Sequence, residues 1–237
     1  MKNLIVANWK MNPASLEEAK NIFSGIKNGV EGTNNEIVIC PPFVYLAELK
    51  GTALGAQNIF YEEQGAFTGE VSGEMLKNLG VEYVIIGHSE RRKLGETNEM
   101  INKKIKKALE VGLKVIFCIG ETAEEREAGR KNEVLERQIK IGLKDIKLVD
   151  LGDRQNINIA YEPVWAIGTG NNCGVEETKK SIDFIKNLVP NARVLYGGSV
   201  KSENSGDYIK NAGANGLLVG GASLNAEEFV KIVKSAE

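Results

Sequence analysis

Residues able to move a proton or hold an anion stand where apolar runs end. Lys10 follows LIVAN (4–8), His88 follows YVIIG (83–87) and Glu162 follows INIAY (157–161). Paired glycines close two further runs, in YGGSV (196–200) and LVGGAS (218–223). A carboxylate such as Glu162, at a buried mouth beside apolar groups, is a candidate general base. A lone glutamate there is otherwise a salt-bridged rim residue. The segment after it, PVWAIGTGNN (163–172), has a proline–tryptophan start and a glycine-bearing tip, which suit the hinge and tip of a closing loop. Paired glycines let backbone N–H groups approach an anion, and a helix N-terminus behind them adds favourable partial charge. One such pair is an ordinary turn; two on consecutive runs point to phosphate.

Lys10 offers fixed positive charge for a phosphate or a developing oxyanion. A Schiff-base role would need a desolvated amine, whereas Glu90 and Glu162 favour the ammonium. His88 is the only histidine. A lone histidine is commonly a satisfied core residue, but Ser89 and Glu90 can open a helical turn behind it. The N–H groups of that turn can donate only to an unprotonated ring nitrogen, leaving the other nitrogen protonated toward a substrate oxygen. The ring is therefore expected to stay neutral between about pH 5 and pH 8. Base, electrophile, cation and phosphate cradle together suit proton abstraction beside a carbonyl.

Positioning such a set requires elements that end at one rim. Eight β-rich runs recur at 4–8, 36–40, 53–57, 83–87, 114–118, 157–161, 193–197 and 216–220. They are nearly continuous in apolar residues, as strands buried on both faces must be. Helical patterns occupy 15–27, 97–111, 131–146, 175–188 and 224–235. The lysines of 97–111 are expected on a solvated face. Strand–helix alternation of this kind predicts an α/β fold, an eightfold parallel barrel in one catalytic domain, 1–237, with chemistry at the C-terminal strand ends. Gln57, Cys118, Gly120 and Glu121 belong to the same rim.

The 237 residues include 42% hydrophobic and 26% charged, an ordinary globular balance. A net charge of −2 offers no general attraction for nucleic acid or an anionic membrane. The apolar start MKNLIVANWK is too short for a signal peptide or a span. Three scattered cysteines and one histidine argue against a disulfide framework or a metal centre. A reduced, cytoplasmic protein is expected.

The stretches ANWKMN, AQN, GAFTGE, GHSERR, GETNE, CIGET, AYEPVWAIGTG, YGGSV and LVGGASL resemble the triosephosphate isomerase family from end to end. The resemblance implies a TIM barrel interconverting dihydroxyacetone phosphate and D-glyceraldehyde 3-phosphate through an enediolate, in glycolysis and gluconeogenesis, without cofactor or metal. By that resemblance Glu162 is the base, His88 the neutral electrophile and Lys10 the substrate-binding cation, with Asn8 beside it. Gly168, Ser199, Gly220 and Gly221 hold the phosphate; Glu90 and Cys118 are supporting residues. The long loop 58–72 reaches a second copy of the chain in a homodimer, with Thr68 at the contact and a Glu70–Arg91 ion pair in support. The chain departs from the family pattern at Asn171-Asn172-Cys173, where Cys173 is expected to move with the lid. It departs again between HSERR and Glu96, and before strand seven. A phosphate-binding Schiff-base aldolase and a binding protein with a decayed site are the competing functional classes.

Overall fold

The computed structural model describes residues 2–146, 156–167 and 172–237. Eight strands form a closed parallel barrel in chain order. They are β1 (Leu4–Asn8), β2 (Glu36–Cys40), β3 (Ala53–Ala56), β4 (Tyr83–Ile86), β5 (Lys114–Ile119), β6 (Ile157–Tyr161), β7 (Arg193–Tyr196) and β8 (Gly216–Val219). Closure comes from β8 pairing with β1, in the register Leu4↔Gly216 to Ala7↔Val219.

The period-2 alternation of side chains explains why these strands read as unbroken apolar runs. One set, including Val6, Val38, Ile85, Ile116, Leu195 and Leu218, forms a cluster of its own. The alternate set, including Ile5, Ile39, Ile86, Phe117 and Ile159, joins the apolar faces of the helices in a second, larger cluster. Each fully buried aliphatic side chain contributes roughly 1.5–3 kcal/mol, so the barrel wall is stabilised from both sides.

The helices are α1 (Leu16–Gly29), α2 (Gly73–Asn78), α3 (Ser89–Lys93), α4 (Asn98–Glu110), α5 (Ala123–Glu127), α6 (Lys131–Gly142), α7 (Val175–Leu188), α8 (Ser202–Lys210) and α9 (Ala226–Ser235). The five expected helical segments are present, α6 ending four residues before the expected 146. Helices α2, α5 and α8 lie outside the five delimited helical patterns. Two of them span under two turns, and α8 (SENSGDYIK) is rich in weak helix formers, so packing of Ser205 and Tyr208 decides it. A signal for α5 was present: Thr122 and Glu125 form a reciprocal capping box.

The expected solvated lysine face of α4 needs correction at Lys104. This side chain is buried, donates to Asn58 Oδ1 at 2.8 Å and pairs with the buried carboxylate of Glu96. A buried charge persists only where it is paired and hydrogen-bonded, as here. The helix period alone did not reveal that partners arrive from the segment after β3 and from the turn before α4.

Candidate active site

Strand direction places every β-to-α connection at one end of the barrel. A cavity of about 530 Å³ opens there, lined among others by Asn8, Lys10, His88, Glu162, Ser199, Gly220 and Gly221. These expected site residues, drawn from five strand ends, therefore share one wall system. Gly168 lies outside the described residues.

Lys10 has a backbone φ of 56°, in the left-handed region that non-glycine residues seldom adopt. Asn8 Oδ1 accepts its N–H at 3.1 Å. Gln57 Nε2 donates to the carbonyls of Lys10 and Cys40, each at 2.8 Å. The sequence placed Gln57 at the rim without a role; across three strand ends it fixes the strained residue. The ammonium of Lys10 meets Glu90 Oε1 at 2.6 Å. Burial raises the Glu90 carboxyl pKa, but hydrogen bonding and charge from Lys10, with His88 and Lys93, lower it on balance.

Glu162 is buried, and two groups of the β4 end hold its carboxylate. Oε2 accepts the Ser89 N–H at 2.9 Å, and Oε1 lies 3.0 Å from His88 Nε2. Its backbone is held as closely: the Glu162 N–H donates to Ile119 O at 2.7 Å. A Cβ on Gly120 would stand 1.6 Å from the Glu162 carbonyl oxygen, so only glycine permits this approach of β5 to β6.

His88 caps α3, and its Nδ1 accepts the Glu90 N–H at 3.2 Å. That network assigns the ring proton to Nε2, facing Glu162, and agrees with the expected tautomer. The expected preference for a neutral ring is opposed by the carboxylates around it. Burial lowers the His88 pKa, but Glu162, by charge and hydrogen bond, and then Glu90, raise it on balance against Lys10. A pKa above the ordinary value of about 6.5 contributes stability that is complete below the unfolded pKa. That contribution is lost as pH rises through the folded pKa. Glu162→Gln removes the larger of the two charges that lift the ring, leaving only Glu90 to oppose burial and Lys10. The His88 pKa is expected to fall in this variant, as read by ring-nitrogen NMR on the chain's single histidine. An equal or higher value would remove Glu162 as the cause.

Cys118 is buried, and burial, with Glu162, pushes its thiol well above the ordinary range. It is a neutral neighbour of the base, not a nucleophile. Glu121 accepts from Trp165 Nε1 at 2.9 Å and from the Tyr161 hydroxyl at 3.2 Å. Its other oxygen is buried without a hydrogen-bond partner among the described residues. Burial raises its pKa, outweighing those bonds. Ser199 Oγ donates to the Ala166 carbonyl at 2.9 Å, linking the loop after β7 to that after β6. Gly220 accepts from Ser223 N and Oγ at 2.8 and 2.7 Å, which turns the chain after β8.

Other expected residues stand apart from the cavity. Thr68 is exposed in the loop that projects between Phe60 and Val71, whose ends join through Phe60 N to Val71 O at 2.9 Å. Among the described residues of one chain Glu70 and Arg91 do not pair; Arg91 Nε instead faces Glu96 Oε1 at 3.8 Å and has no hydrogen-bond partner among them. Cys173, expected to move with a lid, is fully buried. Among the described residues no cluster of three His, Cys, Asp or Glu side chains is arranged to hold a metal. No helix among them is long and apolar enough to cross a membrane.

The family model for triosephosphate isomerase matches residues 3–236. A triosephosphate isomerase of Aquifex aeolicus is 48% identical over 86% of this chain and 87% of its own length. That of Alkaliphilus oremlandii is 45% identical over the same shares. The enzyme of Chloroherpeton thalassium is 44% identical across 100% of this chain and 99% of its own. With eight parallel strands closed into a barrel and the family model matched almost from end to end, the chain belongs to the triosephosphate isomerase family.

Proposed function

We propose that Glu162, His88 and Lys10 are the working groups of a triosephosphate isomerase in which one chain forms one catalytic domain. The protein interconverts dihydroxyacetone phosphate and D-glyceraldehyde 3-phosphate, a step of glycolysis. The observation that carries the assignment of roles is the 3.0 Å contact between Glu162 and His88, on a cavity shared with Lys10 and both glycine loops.

The phosphate lies against Ser199, Gly220 and Gly221, with Gly168 completing its cradle. Backbone N–H groups there meet an anion without a desolvated counter-charge. Lys10 and Asn8 hold the oxygens of the reacting end. Glu162 removes a proton from the carbon beside the carbonyl: the C–H electron pair becomes the enediolate double bond, and the carbonyl pair moves onto oxygen. His88 Nε2–H stabilises that oxygen, and Lys10 adds positive charge. After a proton passes between the two oxygens by way of His88, Glu162 returns its proton to the neighbouring carbon. Substrate must first replace the Glu162–His88 contact, since the same carboxylate oxygen and ring proton serve both purposes. Glu90 steadies Lys10, while Cys118 packs below the base. Because Lys10 is bound to Glu90 at 2.6 Å, a free amine for Schiff-base chemistry is disfavoured.

We also propose a cytoplasmic homodimer. Met11, Val44 and Leu94 are 93%, 77% and 78% exposed, apolar side chains that a second copy can cover. Arg91, whose Nε makes no hydrogen bond among the described residues, and the exposed Glu70 are groups that a second copy can pair.

Purified protein supplied with dihydroxyacetone phosphate in deuterated water is expected to yield glyceraldehyde 3-phosphate carrying solvent deuterium on carbon. No conversion, or borohydride trapping of substrate on a lysine, would remove this function.

A further inference from the structure

Asn172 and Cys173, where the chain departs from the family pattern, lead the loop after β6 back into α7. Two buried tyrosines hold them. Tyr196, the last residue of β7, accepts the Cys173 N–H on its hydroxyl at 3.2 Å. Tyr208, on α8, donates its hydroxyl to the Cys173 carbonyl at 2.8 Å and accepts from Asn172 Nδ2 at 2.9 Å. Their rings stack with centroids 3.9 Å apart and planes inclined by 22°. Both side chains are wholly buried.

This stack also supports the anion end of the cavity. A Cβ on Gly198 would stand 2.2 Å from the Tyr196 hydroxyl, so the glycine loop after β7 rests directly on that ring. One face of the ring is backed by Tyr208. Packing alone does not account for the Tyr208 hydroxyl, because an apolar ring fills the same space without burying a polar atom. Its hydroxyl is held by the Cys173 carbonyl and the Asn172 side chain, and lies within hydrogen-bonding reach of the Tyr196 hydroxyl.

We infer that Tyr208 is a positioning residue for phosphate binding, acting through Tyr196 and Cys173 on the loops that cradle the anion. The inference rests on the proposed isomerase function. Tyr208 lies on α8, away from the strand ends that carry Glu162, His88 and Lys10, so its hydroxyl bears on binding more than on proton transfer. Removing it strands the buried Cys173 carbonyl and loosens the join between the β6 and β7 loops. Substrate must then restore the order of those loops on binding, which lowers affinity. A loss shared by ground and transition states raises KM and leaves kcat nearly unchanged.

Tyr208→Phe keeps the ring stack and deletes only the hydroxyl. Unmutated protein is assayed first; inactivity there ends the isomerase reading itself, separately from any result with the variant. In the variant, KM and the inhibition constant of 2-phosphoglycolate are each expected to rise about five- to tenfold, the worth of one net hydrogen bond. Turnover should stay within about twofold. Asn172→Ala should weaken inhibitor binding in the unmutated background and add little in the Tyr208→Phe background, since the two groups share one contact. Tyr83→Phe serves as control, because that hydroxyl bonds to the buried Glu36–Arg193 cluster rather than to the site loops. It should lower the thermal midpoint without moving the inhibition constant. A Tyr208→Phe protein that melts earlier but keeps its KM and inhibition constant overturns the inference, as does one whose loss falls wholly on kcat. Should Tyr208→Phe not fold, Asn172→Ala decides: an unchanged inhibition constant refutes the positioning role, and an increase supports it.

Discussion

Glu162→Asp is expected to lower kcat by about a hundredfold while a phosphate-bearing inhibitor binds almost as before. The substitution keeps the charge and withdraws the carboxylate by one methylene. Misplacement of about 1 Å in a reacting group can cost ~10²-fold, because proton transfer requires near-contact geometry. The surroundings offer little compensation. Glu162 is 1% exposed, and its backbone is fixed by the bond to Ile119 and by close contact with Gly120. A shortened side chain cannot recover its reach through a backbone shift without disturbing β5. In the proposed mechanism inhibitor affinity depends chiefly on Lys10 and on the loops after β7 and β8, which the substitution leaves in place. Steady-state kinetics with 2-phosphoglycolate inhibition separate the two effects. Turnover close to that of the unmutated protein would exclude Glu162 as the base, and an equal loss of inhibitor affinity would indicate a collapsed site.

Thr68→Arg is expected to yield monomers with little activity, although Thr68 lines no part of its own chain's cavity. The proposed contact inserts the 58–72 loop into the second copy near Lys10 and Glu90. A long cation there meets the existing Lys10 charge and a volume already filled, and overpacking alone costs about 1–3 kcal/mol. Lys10 depends on support, since its left-handed backbone is held through Asn8 and Gln57. The loop itself should remain folded: it is closed at its base by Phe60 and Val71, and the Phe60 and Phe67 rings lie 4.9 Å apart. Sedimentation and activity are measured at the same protein concentration. An intact, active dimer would sink the loop-exchange reading; an active monomer would show that the site is complete in one chain.

Periodicity and residue type carried the secondary elements and the rim. Eight apolar runs marked the eight strands within a residue at each end, because strands buried on both faces must be apolar throughout. Parallel strands joined by helices must also end on one side, so Lys10, His88 and Glu162 could be assigned to one mouth before any coordinates. Short helices were less legible. At α8, Ser, Asn and Gly oppose helix formation locally, and burial of Ser205 and Tyr208 overrides them.

By itself the sequence determined the strand–helix alternation and which residue types meet at the strand ends, since these follow from spacing along the chain; the family was legible through the resemblance of its motifs. Only the tertiary structure decided which groups touch. It paired Lys104 with Glu96 inside the protein, set Gln57 on the Lys10 carbonyl, and joined Tyr208 to Cys173. It also placed the Glu162 carboxylate 3.0 Å from His88 Nε2, which raises the ring's pKa against the effect of burial. The physical reason is common to these cases. Charge and hydrogen-bond energies depend steeply on distance and burial, and residues 73 positions apart, such as Ser89 and Glu162, acquire a distance only when the barrel closes.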